Sequence, residues 1–131
     1  MDSKVEPGVR YSKTHEWVRV EGAEAVVGIS DYAQHKLSDI VFVDLPAAGR
    51  ELKAGTACMV IESVKAAEEV FAPVSGTVSA RNEALVKNPE IVNTDPFGKG
   101  WLVRVKLASP AEVDALMDAA AYTSYLATLG E

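Results

Sequence analysis

Short apolar runs, and runs in which apolar and polar residues alternate, recur along the chain as far as Leu107. They are EWVRV, AVVGI, IVFVDL, TACMVIES, EEVFA, TVSAR and WLVRVKL. These runs are rich in β-branched and aromatic residues, and most are separated by Gly, Pro or Asn, as is typical of β-strands joined by close turns. The runs EWVRV and AVVGI flank a predicted hairpin turn at residues 21–24. The pattern therefore predicts a mainly β fold, either a small barrel or a sandwich.

Two other segments have helical features. DYAQHKL is long enough for two helical turns, and either Ser30 or Asp31 is a suitable N-cap. Near the end of the chain, Ser109 is the predicted N-cap, Pro110 the first helical residue and Glu112 the partner in a capping box. From there Val113, Leu116 and Met117 share one helical face. We therefore expect a helical segment over residues 109–129 that packs on a β core of about residues 11–107.

Length and composition limit the possible functions. The chain has 131 residues, enough for one domain over residues 1–131, and its 13 basic and 19 acidic residues leave a net charge of −6. The chain has no Lys or Arg cluster, so nucleic acids and anionic membranes are poor partners. The segment MDSKVEPGVRYSK has no signal-peptide character, and the one cysteine allows no internal disulfide. We expect a cytoplasmic protein of a prokaryote.

The sequence contains no motif of a self-contained active site. It has no Cys-x-x-Cys, no His-Glu-x-x-His, no glycine-rich phosphate loop and no G-x-S-x-G elbow. His15 and His35 lie in different segments, and we expect them at the rim of the protein and in solvent. Cys58 lies within an apolar run without a neighbouring base, so a buried structural thiol is expected.

Lys65, in IESVKAAEEVFAPVSG, is the unusual residue of the chain. It lies in a predicted hairpin turn that contains none of the Gly, Asn or Asp residues that such turns prefer. Its neighbours, Val64 and Ala66, are small or uncharged, so the amine would be prominent on a rigid strand pair. A solvated turn lysine is the simpler interpretation. The alternative is a modification site, because acylation would remove the charge and create a long, mobile arm.

The segment ESVKA resembles the lipoyl-attachment motif of the glycine cleavage system H-protein family. Further motifs agree with that family in the same order: YSKTHEWVRVEG, VGISDYAQHKLSDIVFVDLP, FAPVSGTVSARNEAL, NPEIVNTDPFGKGW and SPAEVDAL. The resemblance extends from about Tyr11 to the C-terminal helical segment. It implies a lipoyl/biotinyl-type flattened β-barrel, also called a barrel-sandwich hybrid, with a short helix and C-terminal helices.

The resemblance also implies a function. Lipoate would be bound covalently to Lys65 by a lipoyl- or octanoyl-attaching enzyme, which would recognise Glu62, Ser63, Val64 and Ala66. The protein would be a carrier and not an enzyme. It would take the aminomethyl group of glycine from the pyridoxal-phosphate glycine decarboxylase to the tetrahydrofolate-dependent aminomethyltransferase, and dihydrolipoamide dehydrogenase would reoxidise the dithiol. A shuttling carrier is expected to be a monomer.

In the family, a cleft near the His-Glu-Trp segment shelters the loaded arm, which here implies Thr14, Glu16 and Glu69. Thr14 and Glu69 are conservative departures from a serine and an aspartate often found at these positions. A water-excluding cleft with a carboxylate would protect a labile, cationic aminomethyl group.

Other functions remain compatible with parts of the sequence. Biotinyl carriers share the architecture but usually flank their lysine with methionines. Lipoyl domains of the 2-oxoacid dehydrogenases usually place an acidic residue directly before the lysine and lack the segments around Trp17 and Trp101. An enzyme that forms a Schiff base through Lys65 would need a neutral amine, which Glu62, Glu68 and Glu69 disfavour. A plain interaction module would not need Lys65 at all.

Overall fold

The computed structural model describes residues 3–130, and it is mainly β, as predicted. The strands are β1 Arg10–Tyr11, β2 Glu16–Glu21, β3 Glu24–Ile29, β4 Ile40–Asp44, β5 Glu51–Leu52, β6 Ala57–Ser63, β7 Ala67–Phe71, β8 Gly76–Arg81 and β9 Val103–Leu107. The helices are α1 Asp31–Leu37, α2 Ala84–Lys87, α3 Ile91–Thr94, α4 Ala111–Asp114 and α5 Ala119–Thr128. None of these helices is long and apolar enough to cross a bilayer.

The strands form two antiparallel sheets. The larger sheet has the order β1-β2-β3-β9-β8-β5, and the smaller has the order β4-β6-β7. The hairpin between β2 and β3 is present as predicted, and Gly22 in its turn has a φ of 67°, a conformation that suits glycine. The strand predicted from TACMVIES is β6, the central strand of the smaller sheet.

One apolar core is shared by the two sheets, because alternate side chains of each sheet point towards the other. The larger sheet contributes Val18, Val27, Val78 and Val105, and the smaller contributes Val43, Ile61 and Val70. Each of these residues is less than 5% exposed. Two packed sheets with a short helix and C-terminal helices confirm the fold class that the sequence predicted.

A second apolar cluster covers the other face of the larger sheet. It is built around Tyr11, Trp17, Phe97 and Tyr122, and α5 lies on it. The close approach of the Trp17 ring to the sheet needs a glycine on the neighbouring strand, because a Cβ on Gly28 would be 2.6 Å from the ring. The cluster anchors the end of the chain to the β core.

Helix α1 begins where the sequence predicted. The Ser30 hydroxyl accepts a hydrogen bond from the Ala33 N–H at 3.2 Å, so Ser30 and not Asp31 is the N-cap. The helix ends at Ser38, whose N–H donates to the carbonyls of Gln34 and His35.

The predicted capping of the C-terminal segment by Ser109 is wrong. Pro110 occupies the N-cap position of α4 without a side-chain cap, and Glu112 instead accepts hydrogen bonds from the N–H and hydroxyl of Ser75. The segment is also divided in two, because Met117 pairs with Tyr11 through backbone hydrogen bonds of 2.8 and 2.9 Å. This bridge competes with helical hydrogen bonding, and a new helix starts only after it.

Asp118 is the true capping residue of this region. Its carboxylate accepts a hydrogen bond from the Ala121 N–H at 2.8 Å and starts α5. We expect Asp118→Ala to lower the free energy of unfolding by about 1 kcal/mol, the usual value of an N-cap. The matched variant Ser109→Ala should change it by less than about 0.5 kcal/mol. Urea unfolding of the two variants checks this, and equal losses would contradict the assignment.

Candidate functional site

Lys65 lies at the exposed tip of the hairpin formed by β6 and β7. The turn is closed by a hydrogen bond from the Ser63 N–H to the Ala66 carbonyl at 2.8 Å. The Ser63 hydroxyl oxygen also accepts hydrogen bonds from the N–H groups of Lys65 at 3.2 Å and Ala66 at 3.1 Å. A serine side chain thus supplies the turn hydrogen bonding that the missing Gly, Asn or Asp would otherwise support. Ser63 was the available sequence signal for this turn, because a serine hydroxyl can accept hydrogen bonds from backbone N–H groups two or three residues ahead.

The corner between α1 and β4 supports this hairpin from the side. The Val64 N–H donates to the Asp39 carbonyl at 3.0 Å, and the Lys65 ammonium donates to the Lys36 carbonyl at 3.2 Å. Lys36 lies in the last turn of α1, where the free carbonyls of a helix favour a positive charge. The amine is therefore exposed to solvent but held beside one helix end.

A cleft of about 280 Å³ opens next to this helix end. It lies between α1, strand β7 and the residues that lead into β2. Its lining residues are Thr14, His15, Glu16, Ile29, Tyr32, Ala33, Lys36, Leu37, Glu68, Glu69 and Val70. The structure thus brings together Thr14, Glu16 and Glu69, the three cleft residues that the sequence predicted.

Helix α1 supplies cleft residues that sequence reasoning missed, including Tyr32, Lys36 and Leu37. The Lys36 ammonium lies 5.7 Å from the centre of the Tyr32 ring. No motif singled these residues out, because they become neighbours of β7 only when the helix folds against the strands. A helical spacing of four residues from Tyr32 to Lys36 was the available signal.

Glu16 is the buried polar group of the cleft, with only 2% of its surface exposed. The hydroxyls of Ser12, at 2.7 Å, and Thr14 donate to one carboxylate oxygen, and the Phe71 N–H donates to the other at 3.2 Å. Loss of hydration raises the pKa of the Glu16 carboxyl, and these hydrogen bonds oppose that rise. Glu16 therefore connects β2 of the larger sheet to β7 of the smaller.

His15 forms part of the cleft rim and connects three elements. Its φ of 74° is unusual for a residue other than glycine. The Nδ1 atom lies 2.8 Å from the Tyr122 hydroxyl, which in turn lies 2.7 Å from the Ser30 hydroxyl. Burial, and secondarily the charge of Lys36, lowers the pKa of His15. The chain of contacts ties α5 to the start of α1.

The remaining candidate groups carry no site of their own. His35 is exposed, and its Nε2 lies 3.3 Å from an Asp31 carboxylate oxygen. Cys58 is buried, and burial raises the pKa of its thiol to about 11, which suits an inert structural residue. Within residues 3–130, no group of His, Cys, Asp and Glu residues is arranged to hold a metal ion.

We expect Glu16→Gln to lower the free energy of unfolding by about 1–3 kcal/mol near pH 4, because an amide nitrogen accepts no hydrogen bond, whereas both oxygens of a carboxyl group can. The loss should depend on pH. The pKa of Glu16 is higher in the folded protein than in the unfolded chain, so its contribution to stability falls as pH rises through the folded value. The difference between wild type and variant should therefore shrink as the pH rises above about 4. Denaturant unfolding at several pH values measures this difference in the free energy of unfolding. A difference that grows with pH would contradict a raised pKa for Glu16.

The amino-acid sequence is similar to that of a known protein family. The family model described as Glycine cleavage H-protein matches residues 9–129. The glycine cleavage system H protein of Halorhodospira halophila is 52% identical over 98% of this chain and 99% of its own length. That of Beijerinckia indica is 56% identical over 92% of this chain and 97% of its own.

A solved structure agrees with the sequence relatives. The crystal structure of a glycine cleavage system H protein from Mycobacterium marinum is 34% identical, with a TM-score of 0.84. The match covers 97% of this chain and 100% of that one. The family model, the full-length relatives and the shared fold lead to one conclusion: this chain belongs to the glycine cleavage H-protein family.

Proposed function

We propose that this chain is a lipoyl-lysine carrier of the glycine cleavage system, with lipoate joined to the Lys65 side-chain nitrogen through an amide bond. One observation carries the proposal: a solvent-exposed amine lies at the tip of a braced hairpin, next to a cleft. The Lys65 nitrogen lies 3.2 Å from the carbonyl of Lys36, a residue that itself lines the cleft. An arm attached there can reach outwards to a partner or fold back into the cleft.

The chemistry of the cleft suits such an arm. Its apolar lining comes from Ile29, Ala33, Leu37 and Val70, which match an aliphatic chain. Its polar lining includes Thr14, Glu16 and Glu69, which suit a polar cargo. The residues present therefore fit an acyl chain with a polar end.

Lipoate, when bound to Lys65, would supply a disulfide and dithiol couple. The chain would carry the aminomethyl group of glycine from the pyridoxal-phosphate glycine decarboxylase to the tetrahydrofolate-dependent aminomethyltransferase, and dihydrolipoamide dehydrogenase would restore the disulfide. The chain itself is not an enzyme in this scheme. Its residues present the arm, orient it and exclude water from the cargo. A monomer serves this role best, because the same arm must reach several active sites.

The three predicted cleft residues take different parts in this scheme. Both carboxylate oxygens of Glu16 already accept hydrogen bonds, and one of their donors is Thr14, so these two residues shape the cleft. The Glu69 side chain is exposed and makes no hydrogen bond or ion pair with residues 3–130, although its backbone pairs with β6. Its carboxylate is therefore available to a cationic amine, and partial desolvation in the cleft would strengthen that attraction.

The surroundings of Lys65 fit recognition by the lipoyl- or octanoyl-attaching enzyme. Glu62, Val64 and Ala66 are all exposed beside the lysine, and Val64 is 69% exposed although it is apolar. Ser63 contributes indirectly, because its hydroxyl shapes the turn that presents these side chains. We propose that the attaching enzyme recognises this exposed surface together with the geometry of the turn.

We expect the protein, when produced in a lipoate-competent bacterium, to gain one lipoyl group, and the Lys65-containing peptide to carry it. Lys65→Arg keeps the charge but should abolish the mass gain. Lys87→Arg, a change at another exposed lysine, should leave it intact. Mass spectrometry of the intact protein and its peptides decides the matter, and a biotinyl mass or an unmodified Lys65 would refute the proposal.

The same measurement, followed over time, tests the recognition surface. Glu62→Ala should slow attachment by about ten- to a hundredfold if the enzyme contacts this carboxylate, since a hydrogen bond to a charged group contributes about 1.5–3 kcal/mol. Attachment at the wild-type rate would remove Glu62 from the proposal while leaving Lys65 in place.

Reconstitution with purified glycine decarboxylase tests the carrier role. Lipoylated wild type should support release of carbon dioxide from glycine, whereas Lys65→Arg should not. Glu69→Gln should load but lose its cargo to water a few times faster, as expected for an ion pair worth about 1 kcal/mol. Glu51→Gln, which changes an exposed carboxylate outside the cleft, is the control. An unchanged cargo lifetime in Glu69→Gln would exclude the role assigned to that carboxylate.

A further inference from the structure

The chain between α1 and β4 passes through a strained conformation at Ser38. This residue has a φ of 63° and a ψ of −148°, a combination that is essentially restricted to glycine. A serine persists there only if its surroundings impose the conformation. Contacts with neighbouring residues must therefore hold this corner in place.

A single side chain, that of Asn93 in α3, holds the corner from both sides. Its amide nitrogen donates to the Ser38 carbonyl at 2.8 Å and to the Gln34 side-chain oxygen at 2.9 Å. Its amide oxygen accepts a hydrogen bond from the Ile40 N–H at 2.9 Å. The side chain thus contacts the helix before Ser38, Ser38 itself and the strand after it.

The same corner supports the lysine hairpin. The carbonyl of Asp39, next to Ser38, accepts the hydrogen bond from the Val64 N–H at 3.0 Å. The carbonyl of Lys36, two residues before Ser38, accepts the hydrogen bond from the Lys65 ammonium. If the strained corner relaxed, both of these carbonyls would move, and the hairpin would lose its lateral support.

We propose that Asn93 is a positioning residue for the modification of Lys65, because it holds the strained corner whose carbonyls brace the lysine-bearing turn. The inference rests on the proposed attachment of an acyl group to Lys65. Asn93 makes no hydrogen bond to the lysine and acts only through residues 34–40. Its segment, NPEIVNTDPFGKGW, thereby has a definite role at the modification site although it is distant in the sequence.

A merely structural role for Asn93 makes a different prediction. If the side chain only stabilised the packing of α3, its removal would reduce stability without a specific effect on residues 64–65. Asn82 provides the matched control. It is a buried asparagine whose amide donates to the carbonyls of Lys99 and Trp101 and accepts from the Ala84 N–H, and it has no hydrogen bond to the corner or the hairpin.

The first experiment measures acylation of the purified, unmodified protein by a lipoate–protein ligase with lipoate and ATP, followed by mass spectrometry. Asn93→Ala should lower kcat/KM about tenfold or more, since small misplacements of a reacting group are costly. Asn82→Ala should remain within about threefold of wild type at a temperature where both variants are folded.

Rescue provides the decisive comparison. Ser38→Gly removes the strain, because glycine adopts this conformation readily, so the corner no longer needs the clamp. The double variant Asn93→Ala/Ser38→Gly should therefore recover to within about threefold of wild type. Hydrogen exchange gives a readout without the ligase: the Val64 amide should exchange faster in Asn93→Ala, but not in Asn82→Ala or the double variant.

Each result counts for or against the inference. Wild-type kcat/KM in Asn93→Ala, or a folded double variant that is still slow, would overturn it. If Asn93→Ala alone fails to fold, the double variant takes its place and must be folded and modified. If the wild type is not modified at Lys65, the proposed function fails instead. The exchange of the Val64 amide then still decides whether Asn93 holds the hairpin.

Discussion

The shape of the site depends on the hydrogen bonds that the Glu16 carboxylate accepts. Strand β7 is an edge strand of the smaller sheet, so the Phe71 N–H cannot be satisfied by a further strand on that side. Glu16, from the first residue of β2, accepts its hydrogen bond, while Ser12 and Thr14 satisfy the other carboxylate oxygen. Burying a carboxyl group is costly unless its oxygens are bonded, and here each oxygen has a donor. The two sheets are thereby fixed relative to each other at the base of the cleft.

The wall opposite β7 is positioned by aromatic contacts that begin at the far end of the chain. Tyr122 of α5 stacks on Tyr11, with ring centres 4.1 Å apart, and its hydroxyl bridges His15 and Ser30. Ser30 is the N-cap of α1, so the C-terminal helix fixes the start of the helix that lines the cleft. The C-terminal helices are therefore more than a cover for the sheet, because they connect directly to the cleft wall.

In the proposed role, the features of the site serve to present one amine. Lys65 stands on a short hairpin that is closed by Ser63 and braced by carbonyls at the end of α1. Such a rigid base would limit the loss of entropy when the proposed attaching enzyme binds this amine. Membership of the H-protein family is consistent with this division, in which a cofactor supplies reactivity and the protein supplies geometry.

The strands, the capped helix α1 and the exposed lysine were predictable because they depend on local rules. Alternating β-branched residues specify strands, and Ser30 directly before DYAQHKL specifies a cap. An unusual lysine in a turn between two strands is also visible without a structure. Tertiary structure overrode the local rule at Ser109. Residues 109–112 match a capping box in sequence. In the structure, however, Glu112 pairs with Ser75, and the bridge between Tyr11 and Met117 divides the segment.

The sequence by itself therefore determined the class of fold, the family motifs and the unusual lysine of the turn, since each of these is encoded within a few neighbouring positions. Only the tertiary structure decided that Glu16 joins two sheets, that α1 walls the cleft and that Asn93 clamps a strained corner beneath Lys65. These contacts link residues such as Glu16 and Phe71, or Ser38 and Asn93, which are 55 positions apart in each case. No local pattern marks such pairs, because burial and strand pairing bring them together only when the core forms.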